Sequence, residues 1–273
     1  MKEIATPATT PATQPSNIAS FMTTVVPEAG PSIQRCQHCV SRSFCEVSSL
    51  IRSLDSHQNM TLFRPHGIAK HQHVFYAGDK LTTLYVVKSG LFKTYLSTET
   101  GEEQVMGFHM PGNVLGADGL AHHYHSLSTM ALEASSVCAV AITKLEAVAA
   151  RYQPQWLIEQ VYQEVLRERR ILQITGRKYS TDARVAFFLL DIAARNKARG
   201  YSEREFKLNM PRRDIAHYLD MALETVSRVF TRLQDRGIVE VNRPYITIHQ
   251  PEELQALTEM APLPENSKHD YRR

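Results

Sequence analysis

Between about Asn59 and Ile142 the apolar residues fall in short clusters separated by turn formers. Leu84-Tyr85-Val86-Val87-Lys88 and Leu91-Phe92-Lys93-Thr94-Tyr95-Leu96 are rich in β-branched and aromatic side chains, and Ser89-Gly90 between them reads as the turn of a hairpin. Glu99-Thr100-Gly101-Glu102 is a second turn, ahead of Gln104-Val105-Met106-Gly107-Phe108. Pro111-Gly112 and Gly116 punctuate the strands that follow, and Ser136-Val137-Cys138-Ala139-Val140 is a further strand by pattern. Short strands at this spacing predict a small antiparallel barrel or jelly roll.

From Lys144 to about Ile174 the period becomes helical. Ile158, Val161, Val165 and Leu172 fall at alternating spacings of three and four, with Glu168 and Thr175 on the same line. A helix laid on the barrel would give such a stripe, but a long seam between two domains more often pairs with its own copy in a dimer. Ser180-Thr181-Asp182 offers caps for a helix through Phe187, Phe188 and Leu190 towards Gly200. Pro211 to Leu219 forms a short helix, Asp220-Met221 a turn, and Ala222 to Gln234 a second helix whose buried face is Val226, Val229, Phe230 and Leu233. Glu224, Ser227 and Arg228 lie on its other side. Two helices joined by a tight turn describe a helix-turn-helix, whose second helix enters the major groove. Gly237 ends that helix, and Ile238–Val241 with Tyr245–Ile248 makes a wing hairpin.

The ends are different in kind. Residues 1–33 contain the proline-rich run Thr6–Pro15 and read as disordered, as does the chain from Pro262. Val47–Leu54 could form a short helix. With 273 residues and 43% hydrophobic positions, the chain has ample core for two domains. It lacks an apolar run of the ~20 residues that span a bilayer and a secretory signal at its start, which predicts a cytoplasmic protein without membrane partners. Residues 182–249 carry 12 Lys+Arg against 9 Asp+Glu, so the excess of the +3 net charge lies there and suits a polyanionic partner.

Three of the four cysteines, Cys36, Cys39 and Cys45, sit within ten residues, and Cys138 is far downstream. The short gaps let the first three face one centre, and a remote fourth ligand would tie this segment to the next domain. Disulfides are disfavoured in the cytoplasm. Four soft thiolates suit zinc or an iron–sulfur cluster. Ordinary structural cysteines are the alternative, and Cys138 by pattern could be a core residue. No nucleophile–base pair stands out, and the chain does not read as an enzyme.

A β-roll, a long dimer helix and a winged helix-turn-helix, in this order over roughly Cys36 to Ile248, resemble the CRP/FNR superfamily of bacterial transcription regulators. The cysteine trio with Cys138, the run Gly101–His109 and Glu224-Thr225-Val226-Ser227-Arg228 resemble the oxygen-sensing FNR branch. The resemblance implies an α+β chain. A disordered tail (1–33), a cluster-binding segment (34–58) and a jelly-roll sensory domain of the cyclic-nucleotide-binding type (59–150) come first. A dimerisation helix (151–180), the winged helix-turn-helix (181–250) and a C-terminal tail (251–273) follow. It implies an oxygen-labile [4Fe–4S] cluster on Cys36, Cys39, Cys45 and Cys138, with zinc as the alternative. The cluster would favour a homodimer that binds a TTGAT-N4-ATCAA-type palindrome through Glu224, Ser227 and Arg228. Arg can donate to guanine and Glu can accept from a cytosine amino group. Arg212 and Arg213 would hold phosphates, and a loop at Thr100 and Glu102 would contact RNA polymerase. Glu168, with Glu164 as fallback, would weaken the dimer seam.

Within the superfamily a cyclic nucleotide would be held by a Glu after a Gly and by an Arg before a Ser or Thr. Here Ala117 and Leu127 occupy those positions, so no nucleotide is expected. Three residues depart from the usual pattern: Ala222 replaces a Ser or Thr cap, Asp220 a turn Gly, and Pro211 a Thr at the first helical position. A remote alternative, a cupin-type metalloenzyme, would use histidines among His71, His73, His109, His122, His123 and His125, but it lacks a well-placed acidic ligand.

Overall fold

The computed structural model describes Cys39, Cys45 and residues 64–98, 101–152 and 179–259. Cys36, Thr100, the Val47–Leu54 segment, the seam from Ile158 to Leu172 and the ends of the chain lie outside the described residues.

Eight strands come first: β1 (Arg64–Ile68), β2 (His73–Phe75), β3 (Thr83–Ser89), β4 (Phe92–Ser97), β5 (Glu103–His109), β6 (Val114–Leu115), β7 (Ser128–Ala131) and β8 (Ser135–Ala141). They form two four-stranded sheets, ordered β1-β8-β3-β6 and β2-β7-β4-β5, with every pairing antiparallel. This is the β-roll the turn spacing predicts. Side chains alternate across each strand, and the alternation sorts the apolar residues into layers. Phe75, Phe92 and Ala131 of one sheet meet Val87, Leu115 and Val137 of the other. On the opposite face of the first sheet lie Leu84, Val86, Val114 and Val140, covered by Leu145 of helix α1 (Ile142–Tyr152).

The Ser89-Gly90 turn does not make the expected hairpin. β3 pairs with β8 and β6, whereas β4 pairs with β5 and β7, so this turn carries the chain from one sheet to the other. Gly90 has φ 88°, and a Cβ there would stand 2.0 Å from Ser135 Oγ. Only glycine fits that left-handed position without displacing β8. The hairpin the roll does contain is β4–β5, closed around Gly101 at φ 79°.

The C-terminal lobe contains α2 (Thr181–Ala198), β9 (Glu205–Lys207), α3 (Arg212–Leu219), α4 (Leu223–Asp235), β10 (Val239–Asn242), β11 (Tyr245–Ile248) and α5 (Pro251–Glu259). Ser180 caps α2 by accepting from the Ala183 amide at 3.1 Å. Asp182 in its first turn and Arg195 and Lys197 in its last complement the helix dipole. The wing has a third strand the sequence did not announce, with Phe206 of β9 opposite Ile246. Pro211 lies one residue before α3 rather than at its first position. The expected tail from 251 begins as a helix, α5, which packs on α2 and buries Leu254 completely.

A single apolar cluster joins this lobe to the outer face of the second sheet. Leu91, Tyr95, Val105, Phe108, Met110 and Leu132 are continuous with the interior of α2, α3 and α4. At its centre Phe108, Phe188 and Tyr218 meet with ring centroids 5.2–6.1 Å apart, in tilted and edge-on arrangements that suit aromatic quadrupoles.

Candidate nucleic-acid interface and cysteine face

Helix α3 is gripped from several sides. Lys93 of β4, only 3% exposed, donates to Asp214 at 3.0 Å and to Glu103 at 2.5 Å. Gln104 donates to the His217 carbonyl. Arg184 of α2 donates to the carbonyls of Leu219 and Asp220 at 3.2 and 3.3 Å, satisfying groups that a helix end leaves open. Asp220 itself takes the left-handed conformation, φ 51° and ψ 56°, as its short polar side chain permits. Farther along, Arg195 donates to the Phe108 carbonyl at 2.8 Å and Arg199 to that of Pro111 at 2.9 Å.

Helix α4 follows directly and turns Val226, Val229, Phe230 and Leu233 inward. Glu224, Ser227 and Arg228 are exposed, one turn apart on the outer side, as the helical period requires. Ser227 spends its proton on the Leu223 carbonyl at 3.0 Å, so it offers lone pairs outward. Ala222 gives no side-chain cap. An acceptor, a hydroxyl and a fork of donors on one exposed helical face can address base edges in a major groove.

The two expected phosphate contacts differ from each other. Arg213 is exposed, but Arg212 lies with its guanidinium carbon 3.4 Å from the centroid of the Phe230 ring, linking α3 to α4. Burial, followed by the charge of Arg243, pulls its pKa down to about 10. Arg212 and Arg243 line a cleft of about 270 Å³ with Asn209, Pro211 and Tyr245. Sequence reasoning passed over Arg243. Its signal was a basic residue in the short turn between the two wing strands.

Cys45 and Cys138 pack against the same apolar cluster, on the outer face of the first sheet, although 93 positions separate them in the chain. Cys138 belongs to β8 and points away from the roll interior, where its neighbour Val137 is fully buried. Cys39 is half-buried and, like these two, is a thiol outside any disulfide. Among the described residues no three metal-ligating side chains gather at one point, and the fourth cysteine, Cys36, lies outside them. The donors present are soft and suit an iron–sulfur cluster or zinc.

The stretch compared with a nucleotide pocket is filled by the chain itself. Asp118, in the 3-10 turn Ala117–Gly119, accepts from the Ser126 amide at 2.7 Å, the Leu127 amide at 3.1 Å and the Ser126 hydroxyl at 3.2 Å. Its other oxygen is 3.5 Å from His125, which stacks on Phe75 at 3.7 Å. Burial by itself would raise the Asp118 carboxyl. His125, then the Leu127 and Ser126 amides, outweigh it and hold the pKa below 3.8. Leu127, where the resembling pocket has an Arg, is buried.

The histidines considered for a cupin-type centre are dispersed in their contacts. His73 bonds the Tyr95 hydroxyl at 2.7 Å and His109 bonds Thr94 at 3.0 Å, while His71, His122 and His123 are exposed. Glu102, one of the two expected polymerase contacts, is exposed on the β4–β5 turn, where its amide donates to Thr98 Oγ1 at 3.1 Å. No helix among the described residues is long and apolar enough to cross a membrane.

Comparison with known proteins agrees with this architecture. The Crp-like helix-turn-helix domain matches residues 183–257 and the cyclic nucleotide-binding domain matches residues 66–152. The chain is 34% identical over 234 residues to the anaerobic regulatory protein of Aggregatibacter actinomycetemcomitans, covering 85% of this chain and 90% of that one. It is 34% identical over 233 residues to the fumarate and nitrate reduction regulatory protein of Salmonella typhimurium, covering 84% and 92%. Among solved structures, FixK2 from Bradyrhizobium japonicum matches with a TM-score of 0.66 at 27% identity, over 72% of this chain and 97% of that one.

Proposed function

As a member of the FNR branch of the CRP/FNR superfamily, the chain is an anaerobic-type transcription regulator with a DNA-binding helix-turn-helix, and we propose that it responds to oxygen through a [4Fe–4S] cluster held by Cys36, Cys39, Cys45 and Cys138. In this reading the loaded protein is a cytoplasmic homodimer that binds a TTGAT-N4-ATCAA-type palindrome, contacts RNA polymerase through Thr100 and Glu102, and activates or represses genes of anaerobic metabolism.

The observation that carries the proposal is that Cys45 and Cys138 pack on the same apolar face of the first sheet. When bound, the cluster supplies a centre that oxygen dismantles. The chain's own part is to bring a cysteine from the N-terminal segment onto the same apolar face as a cysteine of β8, in surroundings that limit solvent access. The DNA-binding lobe packs on the other sheet of the roll, so Cys45 and Cys138 lie on the face away from it. The seam Ile158, Val161, Val165, Glu168 and Leu172 is then the part expected to carry the change, by favouring or disfavouring the dimer.

Anaerobic purification tests this. About four iron and four sulfide per chain are expected, with broad visible absorption that bleaches in air. Cys138→Ser should lose both. Stoichiometric zinc without sulfide, from iron-replete cells, would refute the cluster and favour a zinc-stabilised regulator.

A further inference from the structure

Resting on the proposed DNA reading, we infer that Leu223 is a specificity residue that reads the 5-methyl group of a thymine in each half-site. Leu223 is the first residue of α4 and is 41% exposed, while the apolar residues Val226, Val229, Phe230 and Leu233 of the same helix are buried. Single exposed leucines are common on protein surfaces, and what gives this one meaning is its company. It lies one turn before Ser227, joined to it by the hydroxyl–carbonyl hydrogen bond, and beside Glu224 in the row that faces outward. The N-terminal residues of the second helix in such a motif are the ones that reach base edges.

The chemistry of that face divides cleanly. Glu224 can accept, Arg228 can donate and Ser227 has lone pairs to offer; each addresses the polar edge of a base. None of the three recognises the one apolar feature of the major groove, the thymine methyl. Leu223 supplies the missing complement. Its isobutyl group makes no part of the protein core, so its burial is available to be gained on DNA. The residue that precedes it, Ala222, is also exposed and too small to obstruct the approach.

The test uses the full chain purified anaerobically and duplexes carrying the palindrome. Each thymine of the half-site, on either strand, is replaced by uracil in turn, which removes the methyl and nothing else. The parent protein should lose roughly fourfold in affinity per half-site at one thymine, the worth of one buried methyl-sized group, and little at the others. Leu223→Ala should bind uracil and thymine duplexes alike at that position, and Leu223→Met, which keeps an apolar chain of similar volume, should retain the difference. A flat uracil scan with the parent protein, or an unchanged scan with Leu223→Ala, would overturn the inference while leaving the DNA reading intact. Failure of the parent protein to prefer the palindrome over a scrambled duplex would instead sink the DNA reading itself, and the inference with it.

Discussion

Lys93 and Asp214, 121 positions apart, form a buried ion pair at 3.0 Å that pins the first helix of the helix-turn-helix to the second sheet of the roll. Glu103 completes it from β5, with its side chain 32% exposed and so still wetted. Removing one partner of a buried pair leaves the other charge stranded, which costs about 3–5 kcal/mol. Lys93→Met should therefore lower stability by that order in thermal or urea unfolding. Lys93→Met with Asp214→Leu should recover much of the loss, because the stranded charge on α3 is gone.

On the proposed DNA reading, Arg228→Ala should cost about 1–3 kcal/mol at one guanine of the half-site and blur selectivity there. Arg213→Ala should weaken binding to all duplexes alike, as loss of a phosphate contact does. Arg212→Ala differs from both: with its guanidinium on Phe230, the change should lower the melting temperature as well as the affinity. Binding isotherms on single-base variants, paired with melting curves, separate the three.

Asp118 holds the 126–127 backbone in place. Asp118→Ala leaves the part-buried Leu127 amide without its acceptor and should cost about 1–3 kcal/mol. Its pKa is lower in the fold than its ordinary 3.8. The carboxylate's contribution is thus fully present above that value and fades as the pH falls through the lower folded pKa. The difference in unfolding free energy between the parent and Asp118→Asn should narrow as the pH falls below about 4.

Substitution at Thr100 or Glu102 should reduce transcription activation with DNA affinity unchanged, since Glu102 is exposed on a turn remote in sequence from the reading helix. Parallel transcription and gel-shift assays decide this. Equal loss in both would show that the turn acts on DNA binding instead.

Glu168 falls on the apolar line Ile158, Val161, Val165 and Leu172, so in a parallel pair it would approach its own copy. Two facing carboxylates oppose dimerisation by repulsion and desolvation. Glu168→Ala should raise the dimer fraction of cluster-free protein and give DNA binding in air. Sedimentation reads the first effect, and a mutant as monomeric as the parent protein would show that Glu168 is not the brake.

Much of this architecture was legible because it is local. Period and turn residues located β3, β4, β5 and β8, put the cap of α2 within Ser180–Asp182 and gave the inward face of α4. What failed was pairing. Ser89-Gly90 marks where the chain reverses, but the partner of β4 is decided by β5 and β7, and no local signal says which sheet a strand joins. Lys93 looked like an ordinary strand lysine because the groups that let it be buried, Glu103 and Asp214, come from β5 and from a helix of the other lobe. Arg212 was assigned by its neighbourhood in sequence, whereas Phe230 across the motif captures it. The cysteine spacing suggested a common centre for Cys36, Cys39 and Cys45, the family resemblance added Cys138, and the apolar face shared by Cys45 and Cys138 is the part of that set visible among the described residues.

The continuity of apolar packing from Tyr95, Val105 and Phe108 into Phe188 and Tyr218 bears on how such a regulator can be recombined. A chimera made by splicing another DNA-binding lobe onto this roll would inherit Lys93 and Phe108 without Asp214 and Tyr218, the side chains that answer them. The lobe is therefore not a portable cassette. On the proposed DNA reading, promoter specificity would be exchanged through the outward residues of α4, whereas a donor lobe must bring counterparts of Asp214 and Tyr218 with it.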